Sequence, residues 1–177
     1  MSVARHPRRK WRGVGVAFVF FAVLSLGCGA SESSGLDEGP EAGRAVFSHL
    51  AEQAEQAPQP VVRGLDGWMF VGSELRHLGL GRFWGPRALE VSRAAKPEWA
   101  DPLPAILDFK AQLDGAGIEF LLVPVPAKAA VYPDRVPGLE GADPSLRRDP
   151  ADAAFYEVLR GQGVEVIDLL PAFARAR

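Results

Sequence analysis

Two apolar runs rich in β-branched residues, Ile118-Glu-Phe-Leu-Leu-Val-Pro-Val125 and Val164-Glu-Val-Ile-Asp-Leu169, constrain the fold of this chain most. Between them, Asp149-Pro150 opens a segment in which Phe155, Val158 and Leu159 recur at helical spacing, and Gly161 and Gly163 close it. Strand, helix, strand in this order predicts a parallel unit with a right-handed crossover. Parallel strands are covered on both faces, so they read as continuous apolar runs rather than alternating ones. The expected class is α/β with a parallel central sheet, and ligands in such sheets bind beyond the carboxyl ends of the strands. Pro124 falls near the end of the first run, where a missing ladder donor is tolerable.

Upstream, Asp101-Pro102 predicts a helix start, with Asp as N-cap and Pro in the first turn. Leu103, Ile106, Phe109 and Leu113 give that helix an apolar stripe, and Gly115 and Gly117 end it. Asp66-Gly67 lies between the apolar runs Val61-Val62 and Trp68-Met-Phe-Val71, which is a hairpin signal. A further helix is expected over 42–57, where Val46, Phe47, Leu50 and Ala54 share a face and Pro58 and Pro60 stop it. The stretch 72–99, rich in Arg, Gly and Trp, reads as irregular.

The amino terminus has another character. Arg5, Arg8, Arg9, Lys10 and Arg12 precede an apolar run over 13–27, the order of a secretory signal peptide. The run is shorter than the roughly 20 residues a membrane-spanning helix needs. It ends Leu24-Ser25-Leu26-Gly27-Cys28, and a small residue before the only Cys resembles a bacterial lipobox. The match is imperfect, because Ser25 holds the position where an aliphatic residue is usual. An ordinary signal or an uncleaved anchor is the alternative. The expected organisation is a signal of lipoprotein type over 1–27, a linker over 28–41, the helix over 42–57 and a domain over 58–177. The expected location is exported and membrane-associated, with Cys28 as lipid carrier.

Beyond the leader, 15 Lys and Arg face 22 Asp and Glu. An acidic body argues against nucleic-acid binding, which needs a basic face. A single Cys excludes an internal disulfide and a multi-thiolate metal site, and no cofactor motif is present.

Gly72-Ser73-Glu-Leu75 has Ser and acid in the reverse order of the Gly-Asp-Ser-Leu block of SGNH esterases, so it is not read as a nucleophile. Ser73 and His77 would share a helix face, but a base needs a third group to orient it. Glu74 reads as lying on another face and Asp66 across a turn, so capping and surface roles are expected for the pair, and His49 reads as a surface residue. Lys128, just past the carboxyl end of the first apolar run, reads either as an anion or carbohydrate contact or as a solvated Lys pairing with the acidic surface, and Tyr132 and Arg76 are further candidates for substrate binding. Trp68, Trp84 and Trp99 suit either sugar stacking or core packing.

Several stretches together resemble one family. They are Asp66-Gly-Trp-Met-Phe70, Ser73-Glu-Leu-Arg76, Asp108-Phe-Lys110, Gly117-Ile-x-Phe-Leu-Leu-Val-Pro-Val-Pro-x-Lys128, Val131-Tyr-Pro133 and Val166-x-Asp-Leu-x-Pro171. In order and spacing these resemble the N-terminal part of the AlgX/AlgJ SGNH-hydrolase-like domain, over about residues 60–177. The resemblance implies a three-layer fold and periplasmic O-acetylation of alginate or a related exopolysaccharide through a Ser-His-Asp triad. In that family the Asp and His come from an Asp-x-His-Trp motif after the Val-x-Asp-Leu strand, and the Ser lies later. The sequence contains no Asp-x-His, so no triad residue is carried over and the domain is expected to be incomplete. A truncated gene model and a short paralogue would both read this way. The alternative function is a non-enzymatic module that binds polysaccharide or a partner in the acetylation complex. With only two strands and an unpaired apolar edge, the chain is expected to be marginally stable.

Overall fold

The structure is a computed structural model that describes residues 40–177. The signal, the lipobox Cys28 and most of the linker lie outside the described residues. The elements run α1 (Pro40–Gln56), β1 (Val61–Arg63), β2 (Met69–Val71), α2 (Gly72–Leu80), α3 (Ala88–Val91), α4 (Pro102–Gly115), β3 (Leu121–Leu122), α5 (Lys128–Val131), α6 (Pro150–Gly161), β4 (Glu165–Val166) and α7 (Leu170–Ala176). Among the described residues, no helix is long and apolar enough to cross a membrane.

The hairpin forms where Asp66-Gly67 predicts it. β1 and β2 pair antiparallel, with Val62 opposite Phe70. Asp66 and Gly67 both take positive φ, 50° and 79°, which turns the chain sharply between the strands. The carboxylate of Asp66 is tied across the turn to Arg135.

Directly after β2 the chain enters α2, a helix where the sequence reads as irregular. Its signal is weak: it has glycines at 72 and 79 and no side-chain cap. Those glycines are what the packing needs. A Cβ on Gly79 would lie 2.4 Å from Ser48 Oγ, and one on Gly72 would lie 2.6 Å from Ala54 Cβ. α2 therefore meets α1 at backbone distance, and Ser48 Oγ donates to the Gly79 carbonyl at 3.3 Å. Leu75 and Leu78 point into a core with Phe47, Leu50, Phe70, Val131, Val136 and Leu170.

A second core lies around α4, α6 and the β3–β4 pair. Trp84, Phe155, Leu159 and Val164 are buried, and Ile106, Leu107, Phe120 and Leu122 pack against them. Asp101 caps α4 as expected, accepting from the Leu103 amide at 3.0 Å. β3 and β4 pair in parallel, Leu121 opposite Glu165 and Leu122 opposite Val166, joined by α6. The α/β class holds, but the parallel central sheet is limited to these two strands among the described residues.

The expectation that the 118–125 run is buried on both faces is corrected by its exposure. Phe120 and Leu122 pack on the second core. Leu121, Val123 and Val125, at alternate positions, are 48%, 43% and 79% exposed. Successive strand side chains point to opposite faces, so one face is packed and the other is open. Ile167 beside β4 is exposed as well.

Candidate functional site

The carboxyl end of β3 opens into a cleft of about 420 Å³, the position expected for a site in a parallel sheet. One wall is α2, which contributes Ser73, Glu74 and His77. At 3.6 residues per turn these three lie within roughly a 100° arc, so Glu74 shares the face the sequence reading denied it. The floor is the segment 124–127, where Pro124 and Pro126 limit backbone freedom. The far wall is α6, with Asp152, Phe155 and Tyr156.

His77 Nε2 lies 2.7 Å from Asp152 Oδ1. Sequence reasoning finds no group to orient His77 because Asp152 is 75 positions away, in the first turn of a helix that only tertiary packing brings near. The hydrogen bond to Asp152 raises the His77 pKa, and burial only partly opposes this. Phe83 packs on the imidazole with ring centroids 4.8 Å apart. Burial also pushes the Tyr156 hydroxyl up to about 12, so it stays protonated at neutral pH.

The pair has the His–carboxylate half of an acyl-transfer triad. It lacks the other half, since Ser73 Oγ makes no hydrogen bond to His77. With Nε2 engaged by Asp152, Nδ1 is the ring nitrogen left for another partner. The arrangement orients a cation or a hydrogen-bond donor at the cleft wall.

Beside the cleft stands a rim of one ammonium and the rings of Trp68 and Tyr132, backed by the buried ring of Phe70. Lys128 Nζ donates to the Met69 carbonyl at 3.0 Å and sits 4.6 Å from the Trp68 ring centroid and 5.5 Å from that of Phe70. Trp68 packs on Tyr132 at 4.5 Å. The Lys128 amide reaches Glu74 Oε2 at 3.4 Å, which links rim and cleft.

Of the residues singled out from sequence, Lys128 and Tyr132 thus come together through Trp68. Arg76 does not join them. Its guanidinium donates to the Val91 carbonyl at 2.5 Å and lies 4.0 Å from Glu55, tying α2 to α1 and α3. Trp84 is buried in the second core, and Trp99 is exposed with Lys96 over its ring. His49 is a surface residue beside Gln53. Among the described residues, no cluster of His, Cys, Asp and Glu could hold a metal ion.

No curated protein and no solved structure matches the chain. A family model does, the SGNH hydrolase-like domain of acetyltransferase AlgX, over residues 61–177. That span holds the hairpin, α2, the cleft and the Lys128 rim, and it covers well over half of the sequence, so the chain belongs to the AlgX family of SGNH hydrolase-like domains.

Proposed function

We propose that the chain serves O-acetylation of an exported, alginate-like polysaccharide and that its part is to hold the sugar rather than to carry the acyl group. In this reading it is exported, and a lipid on Cys28 keeps it at a membrane. Membership of the AlgX family supports the pathway. The observation that carries the sugar-holding role is the rim beside the β3 cleft. An ammonium has three donors, and Lys128 spends one on the Met69 carbonyl. The remaining donors serve hydroxyl or carboxylate oxygens, while Trp68 and Phe70 fix the ammonium in place. The absence of a Ser73–His77 hydrogen bond weighs against acyl transfer at the cleft itself.

Affinity electrophoresis of the full chain in gels containing alginate tests this. Retardation of the wild type is expected, with roughly tenfold weaker binding for Lys128→Gln, the scale of one charge-assisted contact. No retardation, or equal retardation of wild type and variant, would remove Lys128 from the role. Anchoring is tested separately: Cys28→Ser should move the protein from the membrane to the soluble fraction, and an unchanged distribution would defeat the lipid anchor. A second reading, contact with a protein of the acetylation complex, is favoured by the open face of Leu121, Val123 and Val125. Crosslinking that is lost on Val123→Lys and retained on Lys128→Gln would support it.

A further inference from the structure

We propose that a second cavity, between the amino end of α6 and the carboxyl end of α2, is a site for an oxyanion (a carboxylate, phosphate or sulfate group) held by Arg148 and Arg82. It encloses about 410 Å³ and backs onto the cleft, with His77 and Asp152 as the shared wall.

Arg148 carries the inference. It is 5% exposed, it lines the cavity, and its Nε is buried without a hydrogen-bond partner. Among the described residues no hydrogen bond or ion pair reaches its guanidinium, and Asp143 acts on it only through longer-range attraction. A guanidinium is never deprotonated at ordinary pH, and burying it uncompensated is strongly unfavourable. A buried arginine therefore calls for an anion.

The two carboxylates lining the cavity are engaged by other partners. Asp149 accepts from Arg147 Nη2 at 2.9 Å, and Asp152 pairs with His77 at 2.7 Å. Arg147 is shared with Asp168, and Asp143 feels the charge of Arg148 at longer range, but none of these carboxylates hydrogen-bonds the Arg148 guanidinium.

The other walls suit an anion too. α6 is 12 residues long and begins at the cavity with Pro150, Ala151 and Asp152. Asp149 stands at its N-cap position but makes no side-chain cap hydrogen bond, since its carboxylate is drawn to Arg147. The first-turn amides of α6 are thus uncapped at the positive end of the helix dipole. Arg82 Cζ lies 5.1 Å from the ring centroid of Trp84, another lining residue, so the guanidinium rests on an indole. Glycines make room for the arginines. A Cβ on Gly43 of α1 would approach Arg148 Nη1 to 3.3 Å, and one on Gly81 would approach the third lining arginine, Arg44, to 3.0 Å at Nη1. Forked guanidinium donors match the oxygens of carboxylate, phosphate and sulfate groups.

The test uses the full chain in a zwitterionic buffer, with ionic strength held constant by sodium chloride. Sodium phosphate, sodium sulfate and sodium glucuronate are titrated separately while the melting temperature and tryptophan emission are followed. A saturable rise in melting temperature is expected with at least one of them. Saturation by phosphate or sulfate assigns a tetrahedral group, and saturation by glucuronate assigns a carboxylate. Arg82→Ala, at an exposed position, should fold normally and weaken the response about tenfold. Arg148→Met should abolish the response while raising the melting temperature in anion-free buffer, because a buried charge without a hydrogen-bonded partner is gone. A response no greater than that to chloride, or one undiminished in Arg82→Ala, overturns the proposal. The alginate gel result for Lys128→Gln is read independently, so failure of one site leaves the other standing or falling by itself.

Discussion

Around α1 and α2 the packing is made by glycines, which bring two helices to backbone distance. Around β3 and β4 it is made by branched side chains, which fill one face and leave the other bare. Gly72, Gly79, Ala51 and Ala54 give the first region its close approach, so its stability depends on small residues staying small. Phe120, Leu122 and Val166 give the second its depth, while Leu121, Val123 and Val125 stay exposed and join neither core. The lesson is that an apolar run reports what a strand demands, and a glycine reports what a neighbour demands. Only the first can be recognised without knowing the neighbour.

The largest expected effect strikes the close-packed region. Gly79→Val would drive a branched side chain into Ser48, where a Cβ alone already lies 2.9 Å from the backbone nitrogen. α1 and α2 must separate, at a cost of about 3 kcal/mol in urea denaturation. A loss under about 1 kcal/mol would mean that the two helices slide freely.

The open region is sharpened by a pair of variants one residue apart. Leu122→Ala removes packing from the second core and should cost about 2 kcal/mol. Leu121→Ala, on the bare face, should change stability by less than about 0.5 kcal/mol. Equal losses would show that something covers Leu121 in solution.

The boundary between the regions should reveal itself in the pH dependence. Burial lifts the Asp149 carboxyl to about 6, outweighing its pairing with Arg147. The native state therefore holds this proton more tightly than the unfolded chain, and the associated stability is lost as pH rises through about 6. The pKa of His77 is raised above its ordinary 6.5 by Asp152, so its contribution is complete below 6.5 and lost as pH rises through the higher native value. Both slopes have the same sign. Glu140 and Asp143, held below their ordinary values by hydrogen bonds to nearby backbone and to Ser145, oppose them only in more acid solution. Calorimetry between about pH 5 and 8 should show a melting temperature that falls as pH rises, corresponding to a loss of stability on the order of 1–2 kcal/mol once solvent screening is allowed for. Asp152→Asn should flatten the upper part of the curve. A melting temperature that rises with pH across this range would contradict both assignments.

Much of the fold was legible where the signal is local. The Asp66-Gly67 turn and the Asp101-Pro102 start each depend on one or two residues whose backbone preferences act wherever they occur. α2 was not, because its glycines lower helix propensity and their reason lies across the interface in Ser48 and Ala54. The site divides in the same way. Lys128 could be picked out from its place after an apolar run. His77 could be seen but not interpreted, because Asp152 arrives from the other side of the crossover. Arg148 gave no signal, since a charge without a hydrogen-bonded partner is a property of burial rather than of sequence.

The two Asp-Pro helix starts provide the finest test of the comparison. Asp101 and Asp149 look alike in sequence, each just ahead of a proline at the first helical position. Asp101 accepts from the Leu103 amide at 3.0 Å and from the Gly85 amide at 2.9 Å, so it caps α4 and pins the Trp84 loop. Asp149 caps nothing with its side chain and is spent on Arg147 instead. Asp101→Ala should therefore cost about 1 kcal/mol, the usual loss for an N-cap. Asp149→Ala removes a buried carboxylate whose ionisation is already penalised, and Arg147 keeps Asp168 as a partner. Its stability at pH 7 should match or exceed that of the wild type, and its pH slope between about 4 and 6 should shrink. If Asp149→Ala instead loses as much as Asp101→Ala with the slope intact, then Asp149 is a cap in solution and the amides of α6 are not available to an anion.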